Sequence, residues 1–177
     1  MSPAPQPPAA RLLELEGRLL AELCHWRDQE PAMEACGVLV GKLLGARVHV
    51  DSVHRVPNLA ADPAVGFFAD PGEVVALEHE ARSRGLELVG FWHTHPSGSA
   101  TPSRSDLSEA WPDHVLLVGN REGAWRAFWP VGDRAEPMEL RPQSPGRGAS
   151  RPSTNSRHAA VSASRSTPSS AAARARA

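Results

Sequence analysis

The run His93-Thr94-His95-Pro96, followed by Ser103 and Asp106, holds the residues of this chain whose types and spacing suit chemistry. Two imidazoles and a carboxylate can bind a zinc ion and still leave one coordination position open. Hydrolytic zinc centres need that arrangement of three protein ligands plus a water, because a fully coordinated metal has nowhere to place a nucleophile. The chemistry implied is metal-assisted hydrolysis, with His93, His95 and Asp106 as candidate ligands. Two imidazoles, one carboxylate and an open position suit zinc among the divalent ions.

The neighbouring sequence indicates how these groups would meet. Leu86 to Trp92 is an apolar, aromatic run that suits a buried strand. Extended backbone sends successive side chains to opposite faces, so His93 and His95 leave the strand end on the same side. Pro96 cannot continue a hydrogen-bond ladder and Ser97-Gly98-Ser99-Ala100 is turn-like, so the chain swings away there. Thr101-Pro102-Ser103 has the marks of a helix start, and Ser103 and Asp106, three apart, fall on one helical face. A loop can fold that face back over the imidazoles. The Ser-x-x-Asp spacing is equally a helix-capping pattern, and from the residues alone both roles stand.

Other schemes find less support. His79-Glu80 begins like the helical zinc motif His-Glu-x-x-His, but Ser83 stands where the second His belongs. Cys24 and Cys36 form no Cys-x-x-Cys pair and no disulfide framework, and Cys36 reads as a small buried residue rather than a nucleophile. No glycine-rich phosphate loop is present, which removes nucleotide hydrolysis from consideration.

The spacing His93-x-His95, seven residues, Ser103, two residues, Asp106 resembles the signature of the JAMM (MPN-plus, JAB) zinc isopeptidases. That family also carries a Glu upstream in a Glu-x-Cys-Gly-like context opening a strand, matched here by Glu34-Ala35-Cys36-Gly37. The likeness extends over roughly Leu12 to Leu140, and its specific motifs are Glu34 to Gly41 and His93 to Asp106. It implies zinc held by His93, His95 and Asp106, Glu34 as general acid/base, and Ser103 as a donor to the developing oxyanion. It further implies a cytidine-deaminase-like α/β architecture. The expected substrate is the amide bond after the C-terminal tail of a ubiquitin-like, possibly sulfur-carrier, protein. The Glu-Ala-Cys-Gly context and the short connections around the zinc motif look like the stand-alone bacterial members. Two rival readings are a catalytically inactive MPN-type binding module and a RadC-like, nucleic-acid-associated protein. The latter is prompted by His95-Pro96-Ser97-Gly98 and the basic C-terminus.

Composition bounds the rest. A chain of 177 residues, 41% hydrophobic, can bury one substantial core. No apolar stretch approaches the roughly 20 residues that span a bilayer. With two cysteines and a Pro-rich, uncharged start unlike an export signal, the expected compartment is the cytoplasm. The net charge of −1 hides a split: residues 141–177 contain seven Arg and no acid, so the preceding body carries −8. That segment is rich in Ser, Pro, Ala and Gly and cannot bury enough surface to offset the entropy of ordering. The expected organisation is therefore a disordered start over 1–10, a hydrolase domain over 11–140 and a basic disordered tail over 141–177. The tail is expected to be solvated, with neither nucleic acid nor membrane as partner.

Within the body, Leu12, Leu15, Leu19, Leu23 and Trp26 form a stripe at helical spacing and predict a first helix. Val38 to Leu44 and Arg47 to Val56 predict a hairpin around Gly45, and Gly66-Phe67-Phe68 a short strand. Asp70-Pro71 signals a helix over Glu73 to Arg84, and His114 to Val118 and Ala124 to Pro130 read as later strands. Trp92, Trp111, Trp125 and Trp129 are assigned to packing. The fold class expected is α/β, a single mixed β-sheet flanked by helices.

Overall fold

The computed structural model of the protein describes residues 11–144. Its elements run β1 (Leu12–Glu16), α1 (Gly17–Gln29), β2 (Cys36–Leu44), β3 (Arg47–Val56), α2 (Pro71–Ser83), β4 (Glu87–His95), α3 (Arg104–Glu109), β5 (Val115–Asn120), β6 (Trp125–Val131) and β7 (Arg134–Gln143). The strands form one mixed sheet in the order β1-β3-β2-β4-β5-β6-β7, and it closes on itself because β1 pairs in parallel with both β3 and β7. The single mixed sheet is as expected, and closure into a barrel is the feature the sequence does not announce.

Both faces of β2, β4 and β5 are buried over most of their length, which explains why these strands are near-continuously apolar. Leu39, Val89, Val115 and Leu117 pack with Leu19 and Leu23 of α1. Val38, Val40, Leu116 and Val118 turn the other way and pack with Val74 and Ala81 of α2. The β2–β3 hairpin turns at Gly45, whose φ of +66° is the left-handed region that glycine enters without strain. Helix α2 starts where Asp70 predicts, with the Asp70 carboxylate accepting from the backbone N–H of Gly72 at 2.8 Å and of Glu73 at 3.4 Å.

Three expectations need correction. The stripe from Leu12 to Trp26 is not one helix, since Leu12–Glu16 is a strand and the helix begins at Gly17. Leu12 and Leu15 have helical spacing, but Leu13 and Leu15 are buried at the alternate positions of a strand, and pairing with β3 and β7 decides for the strand. Gly66-Phe67-Phe68 adds no strand. A lone bridge between Asn58 and Ala69 flanks it, the Asn58 side chain holds the Phe68 N–H and the Gly66 carbonyl, and the Phe68 carbonyl accepts from the Leu59 N–H. The domain body does not stop at 140, because β7 pairs Arg141, Pro142 and Gln143 with Glu14, Leu15 and Glu16 of β1. The tryptophans do serve packing, Trp92 and Trp129 in the core and the half-exposed Trp111 edge-on against Phe91 with ring centroids 5.0 Å apart. The expectations for residues 1–10 and for 145–177 lie outside the described residues. Among the described residues no helix is long and apolar enough to cross a membrane.

Candidate metal centre and active site

Strand β4 stays in its ladder with β5 as far as His95, so both histidines are strand residues rather than residues beyond its end. Their alternation places both rings on one face, with the two Nε2 atoms 3.0 Å apart. The chain then turns through Pro96 to Pro102 and enters α3, which brings Asp106 back. Its Oδ2 lies 3.3 Å from His93 Nε2 and 3.4 Å from His95 Nε2. A tetrahedral centre with metal–ligand bonds of about 2.0–2.1 Å sets its ligand atoms about 3.3 Å apart. Three ligand-capable atoms at 3.0, 3.3 and 3.4 Å from one another therefore fit a zinc ion.

The rings are prepared for that task. His95 Nδ1–H donates to the Ser99 carbonyl at 2.8 Å, which directs the lone pair to Nε2. His93 is fully buried and its ring stacks on Phe67, with centroids 4.4 Å apart and planes 22° from parallel. Burial holds the His93 imidazole below its ordinary value, so it stays neutral and able to ligate. Burial alone would raise the Asp106 carboxyl, but the His93 and His95 imidazoles beside it and the Ser103 N–H hold it far below the usual carboxylate range, which favours the anionic form that a metal ligand needs.

Ser103 and Asp106 form the helix cap that their spacing allows, in a place that also meets the imidazoles. Ser103 is the N-cap of α3, its Oγ accepting from the Asp106 N–H at 3.1 Å while Asp106 Oδ2 accepts from the Ser103 N–H at 2.6 Å. The same Oδ2 faces the two imidazoles. The cap is what orients the carboxylate. With its oxygen serving as the acceptor, the Ser103 hydroxyl proton is left for Ser105 Oγ, 2.9 Å away, or for an incoming group.

Glu34 reaches the same place from the segment just before β2. One of its carboxylate oxygens and one nitrogen of each histidine all lie within 4.8 Å of one another. The register pairs Cys36 with His93, and Thr94 completes the link. Lying between the histidines and facing the other way, Thr94 donates its N–H to the Ala35 carbonyl and accepts the Ala35 N–H on Oγ1, each at 2.9 Å. Gly37 is required in this strand, because a Cβ there would sit 1.9 Å from the His54 carbonyl and 2.5 Å from Trp92 Nε1. Glu34 Oε2 is buried without a hydrogen-bond partner, and burial pushes the carboxyl up to about 7. Such a group can both take and return a proton near neutrality. Cys36, by contrast, is pushed up to about 12 by burial and is no nucleophile.

The five residues singled out in the sequence, Glu34, His93, His95, Ser103 and Asp106, thus converge on one region of the fold. Thr94 and Phe67 also shape it, and no motif marks either. A cavity of about 410 Å³ lined by Phe67, Phe68, Val74, Phe91 and Trp111 reaches Asp106 and gives the site an apolar approach.

This barrel, with its His-x-His strand end and capped aspartate, is that of the JAB class. The family model for prokaryotic homologs of the JAB domain matches residues 16–132, and the chain belongs to that family. Among its relatives is the desampylase of Haloferax volcanii, 39% identical over 122 residues that make up 67% of this chain and 86% of the relative. The desampylase of Pyrococcus furiosus is 31% identical over 112 residues, 62% of this chain and 75% of the relative. A Thermus thermophilus protein named probable TtuB-protein conjugate cleaving protease is 32% identical over 92 residues, 51% of this chain and 59% of the relative. The solution structure of a Desulfitobacterium hafniense protein superposes with a TM-score of 0.68 at 26% identity, covering 75% of this chain and 93% of that one.

Proposed function

We propose that the chain is a zinc-dependent isopeptidase or peptidase that cuts the amide bond after the C-terminal tail of a ubiquitin-like, possibly sulfur-carrier, protein. The observation that carries this is the meeting of His93 Nε2, His95 Nε2 and Asp106 Oδ2 at 3.0–3.4 Å beside a buried, unpartnered Glu34 oxygen. His93, His95 and Asp106 are assigned as the metal ligands. Zinc held there supplies Lewis acidity, polarising the scissile carbonyl and bringing the pKa of its water to about 7.

The chain's own residues divide the remaining work. Glu34 takes a proton from the attacking water and returns it to the departing amine, a task that its elevated pKa suits. Ser103 donates its hydroxyl proton to the oxygen that becomes negative as the carbonyl is attacked. No covalent enzyme intermediate is needed, in keeping with a Cys36 thiol that is buried and protonated. The names of the relatives support the substrate class, since one is called a conjugate cleaving protease and two are called desampylases. An inactive binding module has no need of a complete ligand set and an unpartnered acid. The basic segment behind the nucleic-acid reading lies mostly outside the described residues.

Metal analysis followed by incubation with ubiquitin-like proteins carrying C-terminal extensions or lysine conjugates tests the proposal. About one zinc per chain and products ending at the carrier's own C-terminal residue are expected. A zinc-loaded protein that leaves every such conjugate intact would sink it.

A further inference from the structure

Asn58 uses the whole hydrogen-bonding capacity of its amide, two donors and two acceptor positions. Nδ2 donates to the Glu34 carbonyl at 2.9 Å and to the Gly66 carbonyl at 3.1 Å. Oδ1 accepts from the backbone N–H of Ala60 and of Phe68, each at 3.0 Å. These four bonds fasten a loop that has almost no ladder of its own, joined otherwise by the bridge between Asn58 and Ala69 and a few backbone bonds. Two pieces of the site depend on that loop. Its Pro63 carbonyl accepts the Glu34 N–H at 2.6 Å, and its Phe67 ring lies against His93. Glu34 is therefore gripped at both backbone groups by one loop, at the N–H by Pro63 and at the carbonyl by Asn58.

We propose that Asn58 is a positioning residue for the reaction, setting Glu34 and Phe67 against the imidazole pair through its four amide bonds. The inference rests on the hydrolase proposal for Glu34 but not on Asn58 touching substrate. A proton-transfer group displaced by about 1 Å loses up to about 100-fold in rate, so the role must show in turnover rather than in binding. Metal capture is expected to hold, because no hydrogen bond of Asn58 goes to His93, His95 or Asp106 themselves.

The test compares Asn58→Ala and Asn58→Asp with the zinc-loaded full chain. For Asn58→Ala we expect kcat to fall about 10- to 100-fold while KM stays within about threefold and zinc content is unchanged. Amide exchange in the peptide containing Glu34 should quicken about fivefold, the worth of one hydrogen bond. Asn58→Asp keeps the acceptor for Ala60 and Phe68 but loses both donors and turns an oxygen towards the Glu34 and Gly66 carbonyls, so it should show at least the same kcat loss. It keeps the test open if Asn58→Ala does not fold.

A folded variant with kcat within about twofold of the parent overturns the proposal. So does a rate loss explained by missing zinc, an unchanged exchange rate at Glu34, or an Asn58→Asp chain that cannot fold. If the zinc-loaded parent itself cleaves no conjugate, the hydrolase proposal fails instead, and the exchange measurement alone decides whether Asn58 holds Glu34.

Discussion

Between His93 and Asp106, the contacts that aim His95 and Asp106 are local. The Ser99 carbonyl orients His95, the Ser103 N–H steadies Asp106, and the Ser103 hydroxyl caps the helix that carries it. Glu34 is held the opposite way. Its N–H goes to Pro63, its carbonyl to Asn58, and its neighbour Ala35 is clasped by Thr94, well along the chain. One half of the site is thus a segment that carries its own geometry, and the other is assembled by closing the fold. Metal capture and turnover should therefore respond to different mutations, and loosening the fold should cost turnover first.

The largest effect is expected from Asp106→Ala. This change removes a proposed ligand atom and, with it, the capping partner of the Ser103 N–H. Partners one step removed from a metal cost about 10- to 100-fold in affinity when lost, so a ligand itself should cost more than about 100-fold. Zinc per chain after dialysis should fall towards zero and cleavage should fall below detection. A variant that keeps both would show that the segment is not the metal half.

Next comes Glu34→Gln, which preserves size and leaves the barrel intact. Zinc should stay at the parent level while turnover drops by about 10²- to 10⁴-fold, the usual worth of a positioned acid/base. The carboxylate lies close enough to both imidazoles to be counted with them, which makes the metal measurement decisive. If zinc leaves with the charge, Glu34 belongs to the ligand set and the two halves are one.

The same contrast explains what the sequence revealed. The His-x-His alternation, the turn after Pro96 and the cap at Ser103 all act over a few residues, and each was legible from residue type and spacing. Helix α2 was legible for the same reason, since Asp70 sits beside the backbone groups it caps. Strand β1 was not, because Leu12 to Glu16 fits either period and the edges of β3 and β7, distant in sequence, settle the matter. Barrel closure is missed on the same ground. Phe67 sits in a stretch whose Gly-Phe-Phe pattern suggests a strand, yet its ring is used against His93 instead. That choice is made by a histidine beyond the next helix, not by its neighbours. Glu34 stands between the cases. Residue type alone leaves it a surface charge, and only the family resemblance picked it out in advance.

Ser103 gives the smallest and most discriminating test, because it serves the local half as a cap and the reaction as a proposed donor. Ser103→Ala removes both functions at once, whereas Ser103→Gly removes the hydroxyl but leaves a residue that caps almost as well, costing only a few tenths of a kcal/mol of helix stability. If the hydroxyl stabilises the oxyanion, both variants should lose about 10²- to 10³-fold in kcat, as other oxyanion donors do, with zinc retained in Ser103→Gly. Measuring kcat and zinc affinity side by side separates the roles. Should Ser103→Gly turn over like the parent while Ser103→Ala is slow and binds zinc weakly, Ser103 acts only by aiming Asp106. The oxyanion would then rest on the metal alone.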